Sequence, residues 1–360
     1  ANYMRGFALR QGQAEEGKEI NRLRTMIAAP VGTILYAYAF HIPDGMVSFP
    51  YQLIQWVGNV LPLRSLFFIE ILFLILNFGS IAAYCRKYGT YCLDELCMED
   101  EVLRRKILSF FPNALTVMNA MMGGLAIFFA FEEQMREAYL ILIGAAVFDK
   151  MDGALARKLG LTNPLPNQEV STKKFINLGG ILDDISDGVS FCIAPAIIFF
   201  DLMSRSSADF LQYFPYQWIA IAYAVLGLVR LVYFTLDQTP IPGFFKGLPT
   251  PAAALFISAP FIMLNSAIKD QTDSIEFWSV FCVAGVILAA ILMNAYPIRY
   301  VHFGRLMGRQ PWVTRFTVLL VLGTVVTPYF GHVAFIYLFL YILSPLISWR
   351  ISMEVASSEN

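Results

Sequence analysis

GGILDDISDGVSFCIAPAIIFFDL, residues 179–202, decides the fold of this chain. A membrane span needs about 20 mostly apolar residues, and 180–202 supplies them. Yet Asp183, Asp184 and Asp187 stand in its first turns. A lone charge at the centre of a bilayer costs about 2.5–3.5 kcal/mol on insertion scales. The stretch therefore reads as a transmembrane helix whose polar end has been kept for a purpose. Similar apolar runs lie at 66–84, 114–131, 218–234, 252–267, 277–296, 316–330 and 333–348, with shorter ones at 26–40 and 138–147. The segment 46–62, with Tyr51 and Trp56, has the character of a headgroup-level stretch. The reading is an all-α integral membrane protein of about ten transmembrane helices.

Composition agrees. Of 360 residues, 57% are hydrophobic and 15% charged, against about 45–50% and 25% in soluble domains. Mean hydropathy is +0.59. These values exclude a disordered chain and a nucleic-acid binder with a basic face. The net charge of −1 names no partner, but the placement of the cations does orient the chain. With alternating spans, Arg5, Arg10, Lys18, Arg22, Arg24, Arg86, Lys87, Arg104, Arg105, Lys106, Arg157, Lys158, Lys173, Lys174, Lys246, Arg299, Arg305, Arg309, Arg315 and Arg350 fall on one side. Arg64, Arg136, Arg205 and Lys269 fall on the other. The excess marks the cytoplasmic side and puts both ends of the chain there. Residues 1–24 are polar, with no signal-peptide pattern. The five cysteines include no CxxC pair, so neither a disulfide framework nor a zinc site is expected.

The organisation follows from the spans. Residues 1–25 form a cytoplasmic N-terminal segment, and 26–98 an extension with about two spans. The stretch 99–110 (MEDEVLRRKILSF from Met98) is amphipathic and suits the membrane interface. Residues 111–300 carry six spans and the chemistry, and 301–360 add a closing helix pair and a tail.

The chemistry lies in two pairs of acids. FDKMDGALARKLG (148–160) places Asp149 and Asp152 three residues apart; in 179–191, Asp183 and Asp187 are four apart. Either spacing puts two carboxylates on one helix face. Two such faces packed together make an oxygen-rich cage, the ligand set of Mg²⁺ or Mn²⁺, and two divalent ions would balance four carboxylates. His41, His302 and His332 are all remote in sequence, which argues against zinc. Gly153, Ala156 and Gly179 keep these faces low enough for close helix approach or a ligand. Arg157 is a cation suited to phosphate, though it also fits a simple cytoplasmic anchor. Lys150 and Asp184 sit about 100° off the acid faces. Glu70 reads as a buried polar contact within an added span. Acids, small residues and an arginine together suggest a metal-bridged pyrophosphate.

The pattern DxxDGxxAR…GxxxDxxxD resembles the signature of the CDP-alcohol phosphotransferases. Here it is Asp149, Asp152, Gly153, Ala156, Arg157, Gly179, Asp183 and Asp187. The separation of its halves, residues 158–178, is longer than usual and includes NPLPNQ at 163–168. Three further runs, 111–124, 186–196 and 245–254, resemble the phosphatidylserine synthase branch. Two positions depart from that branch: Tyr233 stands where a second arginine is usual, and Asp184 where serine is common. The resemblance implies a six-helix catalytic core and transfer of a phosphatidyl group from CDP-diacylglycerol to the serine hydroxyl, with release of CMP. It also implies a divalent-metal requirement and a homodimer at the cytoplasmic face of a prokaryotic membrane. By the same analogy, Asp149, Asp152, Asp183 and Asp187 hold metal, and Asp187 is also the general base. Gly153, Ala156, Arg157 and Gly179 line the nucleotide and pyrophosphate pocket. An acceptor carboxylate needs a cation, for which Arg230 and then Lys246 are the candidates. Two rival readings are another acceptor (glycerol phosphate, inositol phosphate or choline) and a cation transporter that uses the acids as a path.

Overall fold

The computed structural model describes residues 89, 93–98, 100–161, 178–237, 244–301, 311–325 and 327–358. The chain divides into two compact units, 1–106 and 107–360. In the first, the described residues make a short helix at 93–97 and the beginning of α1 (Glu101–Phe131). Asp100 starts α1 by accepting from the Val102 and Leu103 amides at 2.9 and 3.1 Å, which satisfies donors that a helix start leaves open. Of the segment expected at the interface, 99–110, residues 101–110 belong to the same helix as the first core span. The expected spans at 26–40 and 66–84, the stretch 46–62 and Glu70 lie outside the described residues.

The second unit continues with α2 (Met135–Lys158), α3 (Leu178–Asp187) and a single π-helical segment, Gly188–Ile193, that runs into α4 (Ala194–Arg205). A 3₁₀ turn (Asp209–Gln212) leads to α5 (Tyr216–Leu236), β1 (Phe244–Lys246), α6 (Thr250–Asp270) and α7 (Ile275–Met293). Then follow β2 (Arg299–Val301), α8 (Pro311–Val325) and α9 (Phe330–Ser358). Helix α6 is the hub and packs on α2, α4, α5, α7, α9 and the π segment. Ala253, Ala254, Ile257, Phe261 and Leu264 bury its sides.

Among the described residues, five helices are long and apolar enough to cross a membrane: α1, the continuous helix 179–205, α5, α6 and α7. Helix α2 is not among them, because its second half carries Asp149, Lys150, Asp152, Arg157 and Lys158. Two corrections to the sequence reading stand out. The boundary expected after 330, between the runs 316–330 and 333–348, falls earlier: α8 ends at Val325 and α9 begins at Phe330. Pro328 lies between, and a proline disfavours helix at the residue before it. The all-α core also contains a two-stranded antiparallel ribbon, pairing Phe244 with Val301 and Lys246 with Arg299. Gly247 makes the turn out of β1 at φ +71°, and its amide donates to the Ile298 carbonyl at 2.8 Å.

Two local features set the acid helices. Pro195 has no N–H to serve the Phe191 carbonyl one turn back. The Tyr223 hydroxyl supplies that bond at 3.2 Å, and the helix widens into a π turn around it. Helix α1 buries Pro112, Thr116, Asn119, Gly123, Ala126 and Ala130, a stripe with alternating steps of four and three that stays on one face. Gly123 lets α1 touch the π segment, since a methyl group there would lie 2.7 Å from Ser190 Cα. Gly123→Ala should therefore cost about 1–3 kcal/mol through overpacking, read as a lowered thermal unfolding midpoint of the purified chain.

Candidate metal and transfer site

Helix α2 buries Ala138, Leu142 and Ala145, and Asp149 and Asp152 continue that stripe with the same three- and four-residue steps. The acids thus turn inward on the face that packs the helix. On α3, Asp183 and Asp187 lie one turn apart. Asp149, Asp183 and Asp187 each bring one carboxylate oxygen to within 4.8 Å of the others. The two halves of the motif, each with its acids on one helix face, meet in space.

The fourth acid behaves differently. Asp152 is 5% exposed, and its Oδ2 accepts from Thr116 Oγ1 at 2.8 Å. Its Oδ1 accepts from the Gly153 amide. It remains near enough to Asp183 for their charges to interact, but it stands outside the converging three. Asn119 Nδ2 donates to Asp187 Oδ1 at 2.9 Å. Neither Thr116 nor Asn119 was among the residues singled out from sequence. Their signal was their place on the small-residue stripe of α1, which is silent until that helix is docked.

The acids have little counter-charge. Lys150 Nζ is 3.0 Å from Asp149 Oδ2, reaching a 10% exposed carboxylate from a side chain that is itself 61% exposed. It is a charge contact without hydrogen-bond alignment, since that oxygen and Asp183 Oδ1 are both buried without a hydrogen-bond partner. Buried carboxylate oxygens without a hydrogen-bond partner, in three converging acids, suit a hard divalent cation, and oxygen is the donor that Mg²⁺ and Mn²⁺ prefer.

Around this centre, Gly153 is half-buried and Arg157 is exposed. A methyl group at Gly153 would sit 3.5 Å from Arg157 Nη1, so the guanidinium folds back over the glycine. Ala156 and Gly179 are half-buried on the same two helices. Asp184 faces away from the triad and accepts from Thr235 Oγ1 of α5 at 3.0 Å, as its angular offset required. Most of the long separation between the motif halves, residues 162–177, lies outside the described residues.

A second feature adjoins the acids. Arg230 on α5 is 5% exposed and near enough to Asp187 for their charges to interact. Its Nη1 donates to Thr250 Oγ1 at 3.1 Å, while its Nε has no partner. It borders a small open cleft, with a cavity volume of about 30 Å³, that Tyr233, Phe234, Asp237, Phe244, Phe245 and Lys246 complete. The ribbon carries Lys246 into that cleft, so both residues chosen from sequence as acceptor cations lie there. Lys246 already engages Asp237, with its Nζ 2.8 Å from Oδ2 and 3.0 Å from Oδ1. Tyr233, standing where a second arginine was expected, stacks on Tyr296 with ring centroids 3.8 Å apart. Burial, with Tyr233 alongside, raises the Tyr296 phenol above its ordinary value, against the opposing effect of Arg230.

Comparison with known proteins comes to the same place. The family model of CDP-alcohol phosphatidyltransferases matches residues 109–294, more than half of the chain. The chain belongs to that family and is an integral membrane protein. Divalent-metal dependence is general there, and the three converging acids are consistent with it. A CDP-diacylglycerol–serine O-phosphatidyltransferase of Mycobacterium leprae is 31% identical over 157 residues, covering 42% of this chain and 46% of that protein. One of the same name from Mycobacterium tuberculosis is 30% identical over 202 residues, covering 54% and 63%. An archaetidylserine synthase of Methanothermobacter thermautotrophicus is 30% identical over 202 residues, covering 54% and 72%. The chain thus spans about half to just under two-thirds of the mycobacterial proteins.

Asp183→Asn removes one charge from the cluster. Without metal the variant should unfold at or above the wild-type midpoint, because repulsion is relieved. With Mn²⁺ the wild type should gain stability by ligand linkage and the variant should gain little, a contrast that thermal scans in chelator and in Mn²⁺ will check.

Proposed function

We propose that this chain is a CDP-diacylglycerol–serine O-phosphatidyltransferase whose reaction centre is the acid cluster on α2 and α3. In this reading residues 111–300 are the catalytic core, and 26–98 and 301–360 are additions around it. The observation that carries the proposal is the convergence of Asp149, Asp183 and Asp187 beside a cleft that holds Arg230. The names of the mycobacterial and archaeal relatives support serine as acceptor.

The roles follow from the side chains. Asp149, Asp183 and Asp187 hold Mg²⁺ or Mn²⁺, with Asp152 as the fourth acid of the set. The bound cation would offset the charge of the pyrophosphate. Gly153, Ala156 and Gly179 leave space for the nucleotide, and Arg157 provides a cation for phosphate. The serine hydroxyl attacks the β-phosphorus. Its oxygen forms the new P–O bond, the bond to CMP breaks, and CMP departs as the monophosphate. The hydroxyl proton passes to Asp187. Asn119 engages Oδ1 of that carboxylate, which leaves Oδ2 for the proton.

Charge in the cleft favours a carboxylate-bearing acceptor over a phosphorylated one. Asp237 offsets Lys246, so Arg230 is the remaining cation among the lining residues. One guanidinium suits one carboxylate, whereas an acceptor phosphate dianion calls for more. The excess of Lys and Arg on one side supports a cytoplasmic site.

Purified protein given CDP-diacylglycerol, Mn²⁺ and labelled serine should release CMP and form labelled phosphatidylserine. Absence of CMP release with every alcohol tested would overturn the enzyme reading, and release with another alcohol but not serine would overturn the acceptor. Asp187→Asn should insert normally and lose at least about a hundredfold in kcat, the lower range for a general base. Arg230→Gln should raise the KM for serine by more than about tenfold while leaving the KM for CDP-diacylglycerol near that of the wild type, in keeping with a lost charge-assisted contact. Equal changes in both KM values would remove Arg230 from the acceptor site.

A further inference from the structure

Helix α1 contributes no acid to the cluster, yet it touches one carboxylate from each half of the motif. Thr116 Oγ1 donates to Asp152 of α2 at 2.8 Å, and Asn119 Nδ2 donates to Asp187 of α3 at 2.9 Å. The two donors are three residues apart, hence on one face of α1. That face is tied down in return: Ser186 Oγ donates to the Thr116 carbonyl and Ser190 Oγ to the Asn119 carbonyl, each at 2.7 Å. Both donors are buried, at 4% and 0% exposure.

We infer that Thr116 and Asn119 are positioning residues for the metal cluster, a splint that fixes the orientation of the acids on two separate helices before any cation binds. The inference rests on the reading of those acids as metal ligands. Three physical points carry it. Hydrogen bonds to ionised acceptors are stronger than neutral ones. The Thr116 hydroxyl also lies 3.1 Å from the Pro112 carbonyl, but its shorter contact is to the carboxylate. Asn119 Oδ1 is buried without a partner, an expense of about 1–3 kcal/mol by the usual desolvation penalty. An amide retained in that state is held for its other arm, which grips Asp187. The Gly123 contact with Ser190 keeps α1 near enough for both bonds. Like charges would otherwise turn freely, so bonds that fix Asp187 within the converging three and Asp152 beside them lower the reorganisation needed on binding.

The test is Mn²⁺ binding to the purified full chain, read from the free-ion paramagnetic resonance signal, so that it needs no turnover. Thr116→Val and Asn119→Leu keep side-chain size and remove the donor; Thr116→Ser keeps the hydroxyl. The valine and leucine variants should each bind Mn²⁺ about 10–100-fold more weakly, the usual cost of losing a partner behind a metal ligand. The serine variant should stay near wild type. In turnover, kcat should fall while the KM for serine holds. Unchanged Mn²⁺ affinity in folded Thr116→Val and Asn119→Leu would overturn the inference. Loss of folded protein in both would overturn it too, since the bonds would then hold the bundle and not the acids. A wild-type chain that binds Mn²⁺ in this pattern but releases no CMP would end the proposed reaction and leave the splint intact.

Discussion

Three carboxylates held within 4.8 Å of one another are the constraint on which the remainder depends. Two unit charges at that distance repel by roughly 3–4 kcal/mol at an effective dielectric near 20. Left alone, such groups would turn toward water. Here they are held on the packed faces of their helices, with the exposed Lys150 paired to Asp149. A cluster of this kind is held by its scaffold and completed by a cation, and each neighbouring element can be understood by what it does for that arrangement.

The scaffold works through small and missing groups. Gly123 lets α1 approach the helix of Asp183 and Asp187 closely enough for hydrogen bonds to cross. Pro195 withholds a backbone donor, and the resulting π turn stands directly after Asp187, where Tyr223 makes good the lost bond. Wide turns of this sort often mark functional sites. Below them α6 supplies a packed apolar wall, and its first residue, Thr250, engages Arg230. The same hub therefore backs both the acids and the cleft beside them.

The cleft shows how charge is apportioned. Two cations at Arg230 and Lys246 look like a strong anion site on paper. Asp237 changes that by binding Lys246 through both oxygens. The ribbon β1–β2 brings Lys246 to this position, and three-residue strands between transmembrane helices leave almost no periodic signal to read. At the non-cytoplasmic end of the proposed orientation, Arg205 joins Asp201, Glu133 and the Ala130 carbonyl, a contact set that ties the α1–α2 turn to α4.

The amino-acid sequence by itself determined the membrane class, the places of five core spans, and the two acid pairs with their glycines and arginine. These are local matters: apolar length sets a span, and a spacing of three or four sets a helix face. The earlier boundary between α8 and α9 was within reach through Pro328, but apolar continuity up to Phe330 outweighed it. Only the tertiary structure decided which acids converge and which one is turned to Thr116. It also decided that Asn119 meets Asp187 and that Asp237 offsets Lys246. Such partners sit 36 and 68 residues apart in the case of the two donors on α1. No helical period spans that distance, because the meeting is made by how helices pack and not by how any one of them is wound.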